Sequence, residues 1–177
     1  ACFALCLLAT VARGEIRITD DSGNVVRLAA PAKRIVSLAP HITETLFAAG
    51  VGAAVVGSVD YADYPEAAAK LPKVGGYTKL DLEAVAALKP DLVLAATSAR
   101  GIERLEALGL KVLALEPRTH EDVRRVLRVL GVALGNGGAQ AGEDAWRRID
   151  TAVGAIAGAV VGDQAGRGLF DTLKSWF

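Results

Sequence analysis

Asp91-Leu92-Val93-Leu94-Ala95, the segment Gly101 to Leu108 and the run Val112-Leu113-Ala114-Leu115 together decide the architecture. The first and last pieces are short unbroken apolar runs, the pattern of strands buried on both faces. Between them Ile102, Leu105 and Leu108 recur at helical spacing, and Gly109 supplies a helix stop. Two strands joined through a helix must run parallel, because a tight turn can join only antiparallel neighbours. The same order stands earlier in the chain. Ile35-Val36-Ser37-Leu38 reads as a strand, Thr43 to Ala49 as a helix carrying Leu46, Phe47 and Ala49, Gly50 as its stop and Val55-Val56-Gly57 as the next strand. Two such units predict an α/β fold with a Rossmann-like parallel sheet covered on both faces.

Around this pair lie simpler elements. Ile16 and Ile18 alternate with Arg17 and Thr19, Asp20-Asp21-Ser22-Gly23-Asn24 has turn chemistry, and Val25 to Leu28 returns, which predicts a hairpin. Asp81 is placed to cap a helix through Leu88, ended by Lys89-Pro90, and Thr119 with Asp122 three residues on forms the pattern of a capping box. After the break Gly135-Asn136-Gly137-Gly138, apolar residues at 146, 149, 153, 156 and 160 predict a one-sided helix over residues 139–161. Residues 162–177 continue no recognisable pattern.

The 177 residues carry 20 Lys+Arg against 20 Asp+Glu, and no run of four basic residues occurs. That balance argues against a nucleic-acid partner, which requires clustered positive charge. The apolar share of 52% argues against a disordered chain. The chain has no Met and opens on an uncharged apolar run of residues 1–12, too short to span a bilayer but suited to the core of a secretory signal. With Ala12-Arg13-Gly14 as the cleavage context, residues 1–14 are expected to be a signal remnant, and the mature chain then has neither Cys2 nor Cys6.

In an open parallel sheet, ligands bind outside the carboxyl ends of the strands. The segments to inspect are therefore Ala39-Pro40-His41-Ile42-Thr43-Glu44, Asp60 to Pro65, Ala96-Thr97-Ser98-Ala99-Arg100 and Glu116 to His120, all expected on one rim. Tyr61 there and Tyr77 in Gly75-Gly76-Tyr77-Thr78 offer flat amphipathic rings suited to a large planar ligand, or else pack in their loops. Tyr64, beside Pro65, reads as turn packing. His41, between a proline and a helix, is open as contact, cap or surface residue, and His120 reads as a solvated residue of a helix first turn. Two His and no mature Cys complete no zinc motif, so no metal site is expected. Gly50-Val51-Gly52 follows a helix rather than a strand and has no third Gly. GxxxxGK[ST] and GxSxG are both absent, so an α/β nucleotide-binding enzyme domain is the alternative of another class and no catalytic residue is expected.

Four stretches resemble a known family: Arg34-Ile35-Val36-Ser37-Leu38-Ala39-Pro40-His41-Ile42-Thr43-Glu44, Asp60-Tyr61-Ala62-Asp63-Tyr64-Pro65, Leu71-Pro72-Lys73-Val74-Gly75-Gly76-Tyr77, and Asp81-Leu82-Glu83 with Leu88-Lys89-Pro90-Asp91-Leu92-Val93. They are similar to the periplasmic substrate-binding proteins of iron-chelate and cobalamin ABC importers, the vitamin B12-binding type above all, over about residues 16–134. The resemblance implies a class III periplasmic binding protein: two lobes joined by one long helix, the ligand held between them. On that reading residues 15–135 are the N-terminal substrate-binding lobe, residues 139–161 are the interlobe helix, the second lobe is absent and 162–177 is a divergent tail. It further implies that Tyr61 and Tyr77 flank a corrin ring, with His41, Thr97 and Ser98 completing the ligand-binding set. Ala96 stands where a stacking aromatic is often found. Glu83 matches a carboxylate that meets an Arg of the inner-membrane permease. The implied cargo is cobalamin, which needs no protein ligand to its cobalt, with haem or a ferric siderophore as the alternatives; the implied location is the periplasm.

Overall fold

The computed structural model is described for residues 14–76, 79–135 and 138–162, with residues 120 and 152–162 by backbone alone. Strands β1 (Ile16–Thr19) and β2 (Val25–Leu28) form the expected antiparallel hairpin, with Ile16 opposite Leu28. Strands β3 (Ile35–Ser37), β4 (Val55–Ser58), β5 (Leu92–Ala95) and β6 (Val112–Ala114) form one all-parallel sheet in the order β4-β3-β5-β6. The chain winds outward from β3 to β4, crosses back to β5 and continues to β6, so the direction of winding reverses between β3 and β5.

Alternation along β5 assigns the two faces. Leu92 and Leu94 enter one apolar cluster, with Ile35, Leu113, the hairpin residues Ile18, Val26 and Leu28, and the helix residues Ile42, Leu46, Val126 and Leu130. Val93 and Ala95 enter the other, with Val36, Val112, Val59, Val85 and Leu105. Helices α1 (Pro40–Ala48) and α5 (His120–Leu134) thus cover one face; α3 (Leu82–Ala87) and α4 (Ile102–Ala107) cover the other. Each fully buried aliphatic side chain of this kind contributes about 1.5–3 kcal/mol.

Two differences from the sequence reading are local. Helix α1 begins at Pro40 rather than Thr43, because proline's fixed φ and missing N–H suit the first helical position. A one-turn helix α2 (Glu66–Ala69) follows Pro65, where a run of alanines shows no apolar stripe to read.

The amino ends of β3 and β5 are clamped. The Asp91 carboxylate accepts from the Lys33 and Arg34 N–H groups at 2.8 and 3.0 Å, and the Arg34 guanidinium donates to the Leu88 carbonyl at 2.7 Å. The hairpin is tied to the same sheet: Asp21 N–H donates to Ala114 O at 2.9 Å, and the Asp21 carboxylate pairs with Arg125 of α5.

Helix α6 (Ala139–Gly162) has 24 residues and a length of about 36 Å. Its first turns fold back on α5. Ala145 and Trp146 pack with Leu127, against Val123 and Ala49, and Glu143 pairs with Arg124 and Arg128 at 3.0 and 3.1 Å. The two helices approach to backbone contact: a Cβ at Gly142 would collide with the Leu127 carbonyl and Arg128, and one at Gly131 with the Gly138 carbonyl.

Candidate functional site

The carboxyl ends of the four parallel strands open onto a cleft of about 790 Å³. It lies where the winding reverses, the place at which loops leave adjacent strands in opposite directions and part from each other. Leu38 to His41 after β3, Val59 to Tyr61 after β4, Ala96, Ser98 and Ala99 after β5 and Glu116 after β6 all line it, so the four segments do share one rim.

Each wall has a local cause. Beyond β3, the buried hydroxyls of Ser37 and Thr43 lie 2.9 Å apart and both reach the Ala39 carbonyl, at 3.2 and 3.1 Å. This fixes the turn into α1 and places His41, exposed in the first turn, on the cleft rather than ahead of the helix.

Beyond β4, the Asp60 N–H donates to Gly75 O at 2.9 Å, while Val59 and Ala62 are buried on either side. The residue between these anchors, Tyr61, takes a φ of 64° and leaves its side chain 85% exposed at the cleft. A left-handed backbone is costly for a bulky residue. It persists here because both neighbours are held. Gly75 itself requires its φ of 93°, since a Cβ would run into the Lys79 carbonyl.

Lys73, which the sequence reading did not single out, holds this loop from beneath. Its ammonium donates to Ser58 Oγ at 3.2 Å and to the carbonyls of Ala62 and Ala68 at 2.9 and 3.3 Å. Although it lines the cleft, its three donors are engaged within the chain. Its setting in Leu71-Pro72-Lys73-Val74 gives no local hint of this, because the carbonyls it meets lie five and eleven residues away.

Beyond β5, Thr97 does not line the cleft; its N–H and hydroxyl donate to Glu116 Oε2 at 3.2 and 2.8 Å. Glu116 is in turn anchored by its own N–H, which donates to Asp21 Oδ2 at 2.7 Å. Ser98 is exposed and lines the cleft, as does Ala96. Tyr77 lies outside the described residues. Glu83 is exposed in the first turn of α3, away from the cleft lining, behind Asp81, whose carboxylate caps the helix by accepting from Ala84 N–H at 2.9 Å. Tyr64 is half exposed and does not line the cleft. His120 opens α5. Among the described residues no cluster of three or more His, Cys, Asp or Glu is disposed to hold a metal ion.

Capping shifts one carboxyl near this rim. Asp122 is held below the ordinary aspartate value of 3.8, chiefly by the Thr119 hydroxyl and then by the N–H groups of Arg118 and Thr119.

A family model described as periplasmic binding protein matches residues 35–167. A vitamin B12-binding protein of Vibrio vulnificus (strain YJ016) is 43% identical over 98 residues, which are 54% of this chain and 36% of the relative. Among solved structures, the periplasmic vitamin B12 binding protein of Vibrio cholerae matches with a TM-score of 0.63 at 29% identity, over 76% of this chain and 53% of that one. The periplasmic heme-binding protein RhuT of Roseiflexus sp. RS-1 matches with a TM-score of 0.61 at 32% identity, over 71% and 49%. The chain therefore spans about a third of the curated relative and about half of the solved ones.

Proposed function

This chain belongs to the periplasmic binding protein family, and from that premise we propose that it forms the ligand-capturing lobe of an ABC importer's substrate-binding component, with cobalamin as cargo. The observation that carries the reading is Tyr61: a large ring, 85% exposed, held at a strained φ of 64° on the rim of a cleft at the reversal of the sheet. Strain that surrounding contacts enforce is found where function uses it. A ring so presented is suited to stack on a planar macrocycle, while His41 and Ser98 offer polar groups to its edge.

In this reading Tyr77 is the second stacking ring, and Thr97 acts indirectly, by holding the β5 loop to Glu116. The protein acts in the periplasm and binds without catalysis. Glu83 meets a basic residue of the inner-membrane permease, and α6 leads to a second lobe that closes over the other face of the ligand. The haem reading is favoured by a specific observation: Ala96, not an aromatic residue, lines the cleft after β5, and among the solved structures the heme-binding one is 32% identical against 29% for the vitamin B12 binding one.

Isothermal titration of the chain with cyanocobalamin, and in parallel with haemin, tests the choice. Saturable cobalamin binding that weakens about tenfold in Tyr61→Ala is the expected result, the scale of one aromatic stack. Haemin binding with cobalamin silence would transfer the site to the second reading.

A further inference from the structure

Beside the cleft lies a second concavity of about 620 Å³, between the start of α3 and the loop from β5 into α4. Lys79 and Ala99 line both, so the two spaces are adjacent. The remaining wall brings in Arg100 and Arg104 with Leu80, Leu82 and Glu103. Lys79, Arg100 and Arg104 are all exposed, and none pairs through its side chain with another described residue. Elsewhere the chain pairs Arg17, Arg27, Lys70, Arg124, Arg125, Arg128 and Arg147 with carboxylates. Three unpaired cations around one hollow, against the single carboxylate of Glu103, leave a local excess of positive charge. The cleft lining carries three carboxylates, Asp60, Asp81 and Glu116, against two ammonium groups, Lys73 and the shared Lys79, so its balance is the opposite one.

We propose that this annexe is an anion subsite that receives a carboxylate or phosphate carried on the periphery of the ligand in the cleft. The inference rests on the macrocycle reading above and deepens it: of two macrocycles of that class, the one with a free anionic arm at this edge is held more tightly than the one amidated there. Arg100 and Arg104 supply planar forks that match carboxylate and phosphate oxygens two at a time, and Lys79 adds a mobile point charge at the mouth. The opposed charges of cleft and annexe fix which edge of the macrocycle enters first.

The test is NMR titration of the isotopically labelled chain with cyanocobalamin, with its monocarboxylic acid derivative in which one side-chain amide is hydrolysed, and with inorganic pyrophosphate. The acid is expected to bind about three- to tenfold more tightly than the amide at low salt, the margin of an exposed charge contact with several cations, and to lose that margin at high salt. In Arg100→Gln/Arg104→Gln, which leaves the cleft lining untouched, the margin disappears while affinity for the amide is retained; in Tyr61→Ala both ligands weaken and the margin stays. Equal affinity for acid and amide on the unaltered chain would overturn the annexe and leave the cleft standing. If neither corrinoid binds, the cobalamin reading fails and pyrophosphate decides the annexe alone. Saturable shifts confined to Lys79 and to residues 99–104 uphold it, and shifts scattered over the chain sink it.

Discussion

Tyr61 and Lys73 are complementary devices, one strained and exposed, the other satisfied and hidden. Tyr61→Gly removes the steric cost of a left-handed tyrosine and little packing, so the chain should gain stability, by up to about 1 kcal/mol after glycine's own entropy cost, and lose ligand affinity. Urea denaturation measures the first change and titration the second. Lys73→Ala leaves two carbonyls and a buried hydroxyl without their donor and is expected to cost about 2 kcal/mol, with faster amide exchange concentrated in residues 59–69. At Thr119, replacement by Ala removes the helix cap at a cost of about 1 kcal/mol. It should also return the Asp122 titration toward 3.8, which a carboxyl-carbon pH titration records. Because the folded-state value is depressed, the stabilisation from Asp122 is present above the ordinary value and is lost as pH falls through the lower one. Thr119→Ala should therefore reduce the acid sensitivity of unfolding. These capping residues were legible in the sequence because cap and partner are three positions apart. Lys73 was not, because its acceptors are brought to it by the loop, and neither was the bond from Thr97 to Glu116, because Glu116 follows a different strand.

Among the elements, the α5–α6 hairpin is the most exacting. Gly131 and Gly142 stand where backbone meets backbone, so Gly142→Ala cannot be absorbed by a side-chain shift. Overpacking should outweigh alanine's better helix propensity and cost about 1–3 kcal/mol, with a red shift of Trp146 fluorescence as α6 lifts. Strands and major helices were readable from periodicity, since apolar runs, stripes and glycine stops are local signals. The docking of α6 was not, for the stripe from residue 146 onward shows only that something covers the helix. Glycines at 131 and 142 reveal what: their spacing carries meaning only once both helices are in place. The early start of α1 was missed for a related reason, as Pro40 suits the end of a loop and the first turn of a helix equally.

Across the described residues, the hairpin, the sheet and α5 share one apolar cluster, and Trp146 joins α6 to the carboxyl end of α1 at Ala49. The described residues are therefore expected to unfold together. Leu94→Ala, at the centre of the sheet, should cost about 2–5 kcal/mol and lower the midpoints of circular dichroism and Trp146 fluorescence by the same amount; divergent midpoints would show that α6 melts separately. The order β4-β3-β5-β6 also explains why the site's position was legible before its shape. Parallel strands must send their loops to one end, but the strand order, which locates the gap, depends on a crossing that no local pattern encodes.

The clamp in which Asp91 holds the Lys33 and Arg34 N–H groups and Arg34 holds the Leu88 carbonyl sits at the amino ends of the strands, at the far side of the sheet from the cleft. Much of the text by which this chain is recognised as kin, Arg34-Ile35-Val36 and Leu88-Lys89-Pro90-Asp91, is thus spent on the foundation rather than the doorway. Kinship measured over such a chain reports the building more faithfully than its tenant, and lineages can change what they carry by rewriting a handful of rim positions while the masonry below stays as it was.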